Sequence, residues 1–440
     1  MKEFLLINSP IYWNSQEENE QYLSPLGLGY IATYLEKLCS IHVELLDCVK
    51  ERKSVLDVIM YINEKHPDFI GINVFTQNYE MVKNIIENIK VTCECFIGGP
   101  SVKNMYIEIL SWNTKNIFNI IIGEGEFIIP EIVLGQCKQP IELKNGSKYV
   151  YRVNQESKYF PKDISNIFLN RKYLKNEMIV NHYGENEIAI ITSRGCAFDC
   201  AFCGGARSLN KDVAIRIRSE ESVTKEIEKI LEAYPNTQSI RILDDLFLRN
   251  EKSIVMANNI FSKFPQLNWR GMVHVLALAK SIDKVKDLQI GGCRELFIGI
   301  ESGSESVRTR INKLGNYDQI ISVSKGILEN GIDLKGYFIF GFPKETEEDF
   351  IKTYELAKEI EDISQKTPGK FRTSVFQFRP YHGTKLYNDI INDTGILHGC
   401  EFTKSISKFS GRSQFNFDFG NYSAESDEIL QNYILKTQNL

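Results

Sequence analysis

No stretch of the 440-residue chain approaches the roughly 18 consecutive apolar residues that a membrane-spanning helix needs, so no membrane partner is expected. The opening residues, Met1-Lys2-Glu3-Phe4-Leu5-Leu6-Ile7-Asn8, carry far too short an apolar run for a signal peptide. Positive charge is not in excess: 52 Lys and Arg against 57 Asp and Glu leave a formal net charge of −5. That balance gives no electrostatic footprint for nucleic acid or an anionic surface. Disulfide scaffolding is not expected either, because most of the 10 cysteines are scattered and nothing marks secretion. A reducing cytoplasmic setting suits such a chain. What is present is ordinary for a globular protein, 43% hydrophobic and 25% charged, and long enough for two or three domains.

Against this background one stretch is unusual. Ser193-Arg194-Gly195-Cys196-Ala197-Phe198-Asp199-Cys200-Ala201-Phe202-Cys203-Gly204-Gly205 places three thiols at C-x3-C-x2-C spacing, directly after the β-branched run at 188–192. A loop leaving a strand end can wrap three sulfurs around one face of a cubane cluster. Four irons held by three thiolates leave one iron open for chemistry. Zinc would want a fourth ligand nearby, yet the next His or Cys after Cys203 is His274. Three is also an odd number for disulfides.

The stretch resembles the signature of the radical S-adenosylmethionine (SAM) superfamily, with Phe202 in the aromatic place before the third cysteine. The resemblance implies that Cys196, Cys200 and Cys203 ligate a 4Fe-4S cluster whose open iron chelates SAM. It also implies a partial (β/α)6 barrel over about 187–390, and the apolar patterning agrees. Strands are expected at 188–192, 239–243, 267–273, 295–300, 334–340 and 374–378, and helices at 220–231, 253–264, 317–328 and 345–360. Functional side chains belong at the carboxyl ends of such strands. By resemblance the SAM site takes Phe202, Gly204, Asp244, Asp245, Arg270, Glu301, Ser302 and Gly341, with Arg310 on the carboxylate and Lys313 in reserve. Plainer roles compete: Asp244 and Asp245 as helix caps, and Arg310 as a partner of Glu301 or Glu305. His274 and His382 divide evenly between substrate pocket and structure.

Residues 1–135 alternate buried strands (4–7, 43–46, 69–74, 95–97, 118–122) with helical stretches (26–38, 55–65, 79–89). That order predicts an α/β fold with a doubly wound, Rossmann-like parallel sheet and ligands at the strand carboxyl ends. The residues there resemble the cobalamin (B12)-binding domain that precedes many radical SAM cores. Pro25-Leu26-Gly27-Leu28-Gly29-Tyr30 and Gly123-Glu124-Gly125-Glu126 are its marks. The resemblance implies cobalamin contacts from Asn8, Pro10, Thr76, Gly98, Gly99, Gly123, Glu124, Gly125 and Glu126. No D-x-H-x-x-G supplies a lower cobalt ligand, and Ser101 stands where relatives often have His. A domain that kept this fold and lost the cofactor fits the same residues.

Residues 136–186 read as a linker containing a hairpin around Asn145-Gly146, with His182 as surface or packing. The tail, 391–440, reads as a cap built from a Phe-rich segment at 409–419 and an amphipathic one at 427–435. His398 and Cys400 are too few to make a second metal site, and no second cysteine cluster exists. The resemblance therefore implies a cobalamin-dependent radical SAM enzyme that cleaves SAM to a 5′-deoxyadenosyl radical and methylates an unactivated carbon. Its partners would be a small-molecule or peptide substrate and an electron donor such as flavodoxin or ferredoxin. Two other readings stay open: a non-methylating cyclisation, oxidation or rearrangement, and a non-catalytic iron–sulfur/cobalamin sensor.

Overall fold

The computed structural model describes residues 1–11, 22–211, 213–394 and 420–440; His398, Cys400 and the 409–419 segment lie outside the described residues. Two seven-stranded sheets organise the chain. The first is built from β1 (Glu3–Asn8), β2 (His42–Asp47), β3 (Phe69–Asn73), β4 (Glu94–Gly98), β5 (Ile117–Ile122), β6 (Ile141–Asn145) and β7 (Lys148–Arg152), in the order β2-β1-β3-β4-β5-β7-β6. All pairs are parallel except β6 with β7. Helices α1 (Leu26–Cys39), α2 (Val55–Lys65), α3 (Tyr79–Asn88), α4 (Val102–Leu110) and α5 (Ile128–Val133) are its crossovers. The FLLI run of β1 is buried on both faces, as a sheet covered by helices on each side requires, and β2, at the sheet edge, buries Val43, Leu45 and Leu46 while Glu44 stays half-buried. Two apolar cores result: Phe4, Leu6 and α1 on one face, and Leu5, Ile7, α2, α3 and α4 on the other.

The Asn145-Gly146 hairpin forms as the sequence predicts, and it belongs to the first sheet. β7 pairs in parallel with β5 and makes the hairpin the edge of the first sheet. The remainder of 136–186 runs to β8 (Ile179–Val180), which opens the second sheet.

That second sheet has the order β16-β15-β14-β13-β12-β9-β8, where β9 is Asn186–Ile190, β12 Ser239–Ile242, β13 Asn268–Val273, β14 Cys293–Glu301, β15 Asp333–Phe340 and β16 Phe371–Gln377. Its six long strands are parallel, a partial barrel. Around it lie α6 (Glu220–Ala233), α7 (Glu251–Phe261), α8 (Val275–Ala279), α9 (Val285–Ile290), α10 (Glu305–Arg310), α11 (Tyr317–Glu329), α12 (Glu347–Ser364), α13 (Lys385–Thr394) and α14 (Asp427–Gln438). The outward residues of β15 are buried against these helices, whereas its lumen-facing residues Asp333, Lys335, Tyr337 and Ile339 keep partial exposure. The inner face is therefore accessible, not filled. A short antiparallel ribbon, β10 (Ser193–Arg194) with β11 (Arg216–Ile217), closes the neck of the loop that carries the three cysteines. No helix among the described residues is long and apolar enough to cross a membrane.

Candidate active site

The cysteine loop is fixed at both ends and along its length. The Ala201 amide donates to Ile311 O and the Arg207 amide to Phe198 O. Inside the loop the Cys203 amide donates to Cys200 O and the Gly205 amide to Cys203 Sγ, at 3.3 Å. Burial pushes all three thiols up, Cys203 to about 12. A metal that binds thiolates must therefore displace three protons.

The thiols do not suit a single ion. Zn–S bonds of 2.3 Å would draw three thiolates to about 3.8 Å from one another. Among the described residues, the only group of three or more potential ligands lying within 4.8 Å of one another is Glu3, His42 and Glu44, away from the loop. Lys65 already sits between two members of that group, 3.1 Å from Glu3 and 2.5 Å from Glu44. Three thiols with wider spacing, on one closed loop, fit the corners of a cubane cluster.

Asp245, at the end of β12, faces the same loop. A Cβ built on Gly205 would lie 3.7 Å from Asp245 Oδ2 and 3.6 Å from Cys203 Sγ. Crowding around this carboxyl raises it above its ordinary value. Glu301 ends β14 in the left-handed region, φ 66°, where the register with β15 slips. Such strain in a non-glycine residue is characteristic of functional sites. Its carboxylate accepts from Lys313 Nζ at 2.9 Å, and the pair lies over Gly299. Burial opposes the Lys313 charge, but Glu301 and the Cys200 thiol outweigh it and hold the ammonium above its ordinary value. His274, following β13, stacks on Phe198 of the loop, with centroids 3.7 Å apart and planes at 11°. Its Nδ1 accepts the Leu276 amide, so Nε2 carries the hydrogen, and Nε2 is buried without a partner.

Several expected SAM contacts do other work. Arg310 is exposed and donates to Lys344 O, so it does not reach the lumen; Lys313, the reserve, does. Arg270 is fully buried at the far end of the lumen, bound to Glu187 through Nε and Nη2 (2.7 Å each) and to Glu295 through Nη1 (2.9 Å). Asp244 accepts from the Thr192 amide, the Thr192 hydroxyl and the Ser193 hydroxyl, a staple for the ribbon beneath the cysteine loop. Ser302 is spent on Thr353 Oγ1 and the Ser304 amide. The Gly341 amide donates to Glu345, and its Cα faces Leu430 of α14. Phe202 packs against Phe342, and Gly204 lies exposed with its carbonyl accepting from Asn210.

At the carboxyl edge of the first sheet, Gly98 borders open space: a Cβ there would meet nothing closer than Ile121 O at 4.0 Å. Gly99 and Gly123 have φ of 113° and 100°, and a side chain on either would strike a neighbouring carbonyl. An open glycine backbone at a parallel-sheet edge fits the approach of a large flat cofactor. Pro10 is buried beside it, and Gly125 packs on Ile129 and Ile31. Other expected contacts are already committed. Asn8 is buried between Asp47 and Asn73. Thr76 bonds Ser101 and His382 Nδ1, the latter in the loop after β16. Glu124 and Glu126 turn toward the second sheet: Arg194 pairs with both, at 3.0 and 2.8 Å, and Arg216 pairs with Glu124. Burial opposes the Glu124 charge, but the two arginines outweigh it and hold the carboxyl below its ordinary value. Since Arg194 is two residues from Cys196, the first sheet is tied to the cysteine loop itself. This link was not evident in sequence, although both arginines flank the motif.

Fold and site together define an iron–sulfur, SAM-dependent barrel joined to a cobalamin-binding sheet. The comparisons agree: residues 190–357 match the radical SAM superfamily, and residues 18–133 match the B12 binding domain. The chain is a radical SAM enzyme with an N-terminal cobalamin-binding domain, and its cofactors are a 4Fe-4S cluster, SAM and cobalamin. It is 28% identical over 387 residues to an uncharacterized methyltransferase of Pyrococcus horikoshii, covering 85% of this chain and 80% of that one. It is 22% identical over 403 residues to the anaerobic magnesium-protoporphyrin IX monomethyl ester cyclase of Rubrivivax gelatinosus, covering 86% and 72%. Among solved structures it resembles the radical SAM methyltransferase TsrM of Kitasatospora setae, with TM-score 0.66 and 17% identity over 91% of this chain and 78% of that one. That likeness establishes the fold.

Proposed function

We propose that the protein methylates a carbon of a small-molecule or peptide substrate held on the accessible inner face of the partial barrel. The observation that carries this reading is the Arg194–Glu124–Arg216 junction, which fastens the cobalamin-binding sheet to the neck of the cluster loop. Two cofactor domains joined at that point suit a reaction that passes a group from one to the other. When bound, the cluster and SAM supply the radical, and cobalamin supplies the methyl carrier.

The chain's own residues position and exclude. Cys196, Cys200 and Cys203 hold the cluster. In this reading Asp245 accepts hydrogen bonds from the SAM ammonium, Lys313 pairs with its carboxylate, and His274 donates Nε2–H beside them. Charge-assisted contacts of this kind fix orientation more than they move protons. Phe202, Phe342 and Phe378 form an apolar wall behind the loop that keeps water from the radical. A one-electron donor of the flavodoxin or ferredoxin class is required.

The test is anaerobic turnover of reconstituted protein with SAM, dithionite and hydroxocobalamin, measuring 5′-deoxyadenosine and S-adenosylhomocysteine. Both products support methyl transfer. 5′-Deoxyadenosine without S-adenosylhomocysteine favours a non-methylating reaction, in keeping with the similarity to a cyclase. Neither product would leave the sensor reading.

A further inference from the structure

Among the described residues, ten buried side-chain polar atoms have no hydrogen-bond partner, and two of them are N–H donors flanking the cluster loop: His274 Nε2 and Arg249 Nη1. Arg249 follows β12 and carries no motif, yet it is tied beneath the loop. Its Nη2 donates to Ser193 Oγ and to Leu246 O, each at 2.5 Å. Ser193 is three residues before Cys196 and itself donates to Asp244 at 2.6 Å. Asp244 is the nearby acid, but the Thr192 amide and hydroxyl and the Ser193 hydroxyl occupy it. No Asp or Glu among the described residues forms an ion pair with Arg249. A guanidinium held by neutral oxygens, with one nitrogen buried and empty-handed, is costly unless an anion completes the site. The anion that belongs beside Cys196 is the thiolate-ligated cluster, which is net negative and becomes more so on reduction.

We propose that Arg249 is a positioning residue that sets the reduction potential of the cluster, holding its charge against the Cys196 corner. A fixed cation stabilises the reduced form more than the oxidised one, and cluster potentials respond to nearby charge and to hydrogen bonds at sulfur. Burial lowers the guanidinium from its ordinary value while Asp244 and the Cys196 thiol act the other way, which agrees with a cation facing that sulfur. The proposal needs only the cluster and is independent of whether methyl transfer is the reaction.

The experiment is an EPR-monitored redox titration of reconstituted, SAM-free protein. Arg249→Gln should lower the equilibrium constant for one-electron reduction at least tenfold, a fall of about 59 mV in midpoint. Arg249→Lys should retain most of the wild-type value. If Arg249→Gln does not hold iron, Ser193→Ala, which releases the guanidinium without removing its charge, should show a smaller fall of the same sign. A wild-type midpoint in Arg249→Gln with full iron content would overturn the proposal. So would an unchanged midpoint with tenfold weaker SAM binding, since that would assign Arg249 to SAM.

Discussion

The two ends of the partial barrel are made from the same residue types and are organised in opposite ways. At the amino end of the strands, Arg270 binds Glu187 and Glu295, Arg372 binds Glu295 at 2.5 Å, and Tyr183 donates to Asp333 at 2.6 Å. Each carboxylate there is matched. At the carboxyl end, Asp245 faces the cluster loop, Glu301 is strained, and His274 Nε2 and Arg249 Nη1 are buried donors without an acceptor among the described residues. Paired carboxylates close the floor, whereas the mouth sets one ion pair, Glu301 with Lys313, beside two donors that flank the cluster loop without an acceptor among the described residues. Charge in a barrel is therefore uninformative until its partners are counted.

The largest effect is expected at the floor. Arg270→Met would leave the Glu187 carboxylate buried without its cation, and removing one member of a buried pair costs about 3–5 kcal/mol. The variant should melt well below wild type in a thermal scan while its SAM affinity, measured on protein that remains folded, is unchanged. A loss of SAM binding at constant stability would move Arg270 from floor to site.

At the mouth the order reverses. Lys313→Gln keeps a donor for Glu301 but removes the charge proposed for the SAM carboxylate. Charged hydrogen bonds contribute about 1.5–3 kcal/mol, so SAM should bind roughly 10- to 100-fold more weakly. Arg310→Gln should bind SAM as wild type does. Calorimetric titration with SAM separates the two, and equal losses in both variants would return Arg310 to the site.

That pair of residues also shows what the sequence can and cannot carry. The cysteine loop was legible because ligand spacing is local and a strand precedes it. The strands were legible because each is an apolar run of the right length. Helical continuation would bring Arg310 round to the lumen, but α10 ends at Arg310, and Asn312, at φ 53°, turns the chain before Lys313, which pairs with Glu301. Arg270 has the lumen-facing parity the alternation predicts, but alternation gives the face and not the depth along the strand. The Gly-Glu-Gly-Glu stretch pointed to a functional edge; its partners Arg194 and Arg216 lie in another sheet, and pairing across such separations leaves no local signal. The Asn-Gly turn identified the hairpin, whereas its parallel attachment to β5 is a long-range contact that a turn does not encode.

The smallest expected effect concerns the contact between the sheets. His382 is 4% exposed, and burial lowers it from an ordinary 6.5 to about 4. Its Nδ1 is 3.2 Å from Thr76 Oγ1 of the first sheet. The unfolded chain binds a proton at about pH 6.5, whereas the folded chain resists it to about pH 4. The stability from keeping this ring neutral is therefore complete above pH 6.5 and is lost progressively as pH falls toward 4. His382→Asn can still bond Thr76 but cannot titrate. Its melting temperature should decline less steeply than wild type between those pH values and run parallel to wild type above them. Parallel curves throughout would mean that the ring is protonated in the folded protein or solvated at the seam, and the contact between the sheets would then be polar and open, like the mouth it adjoins.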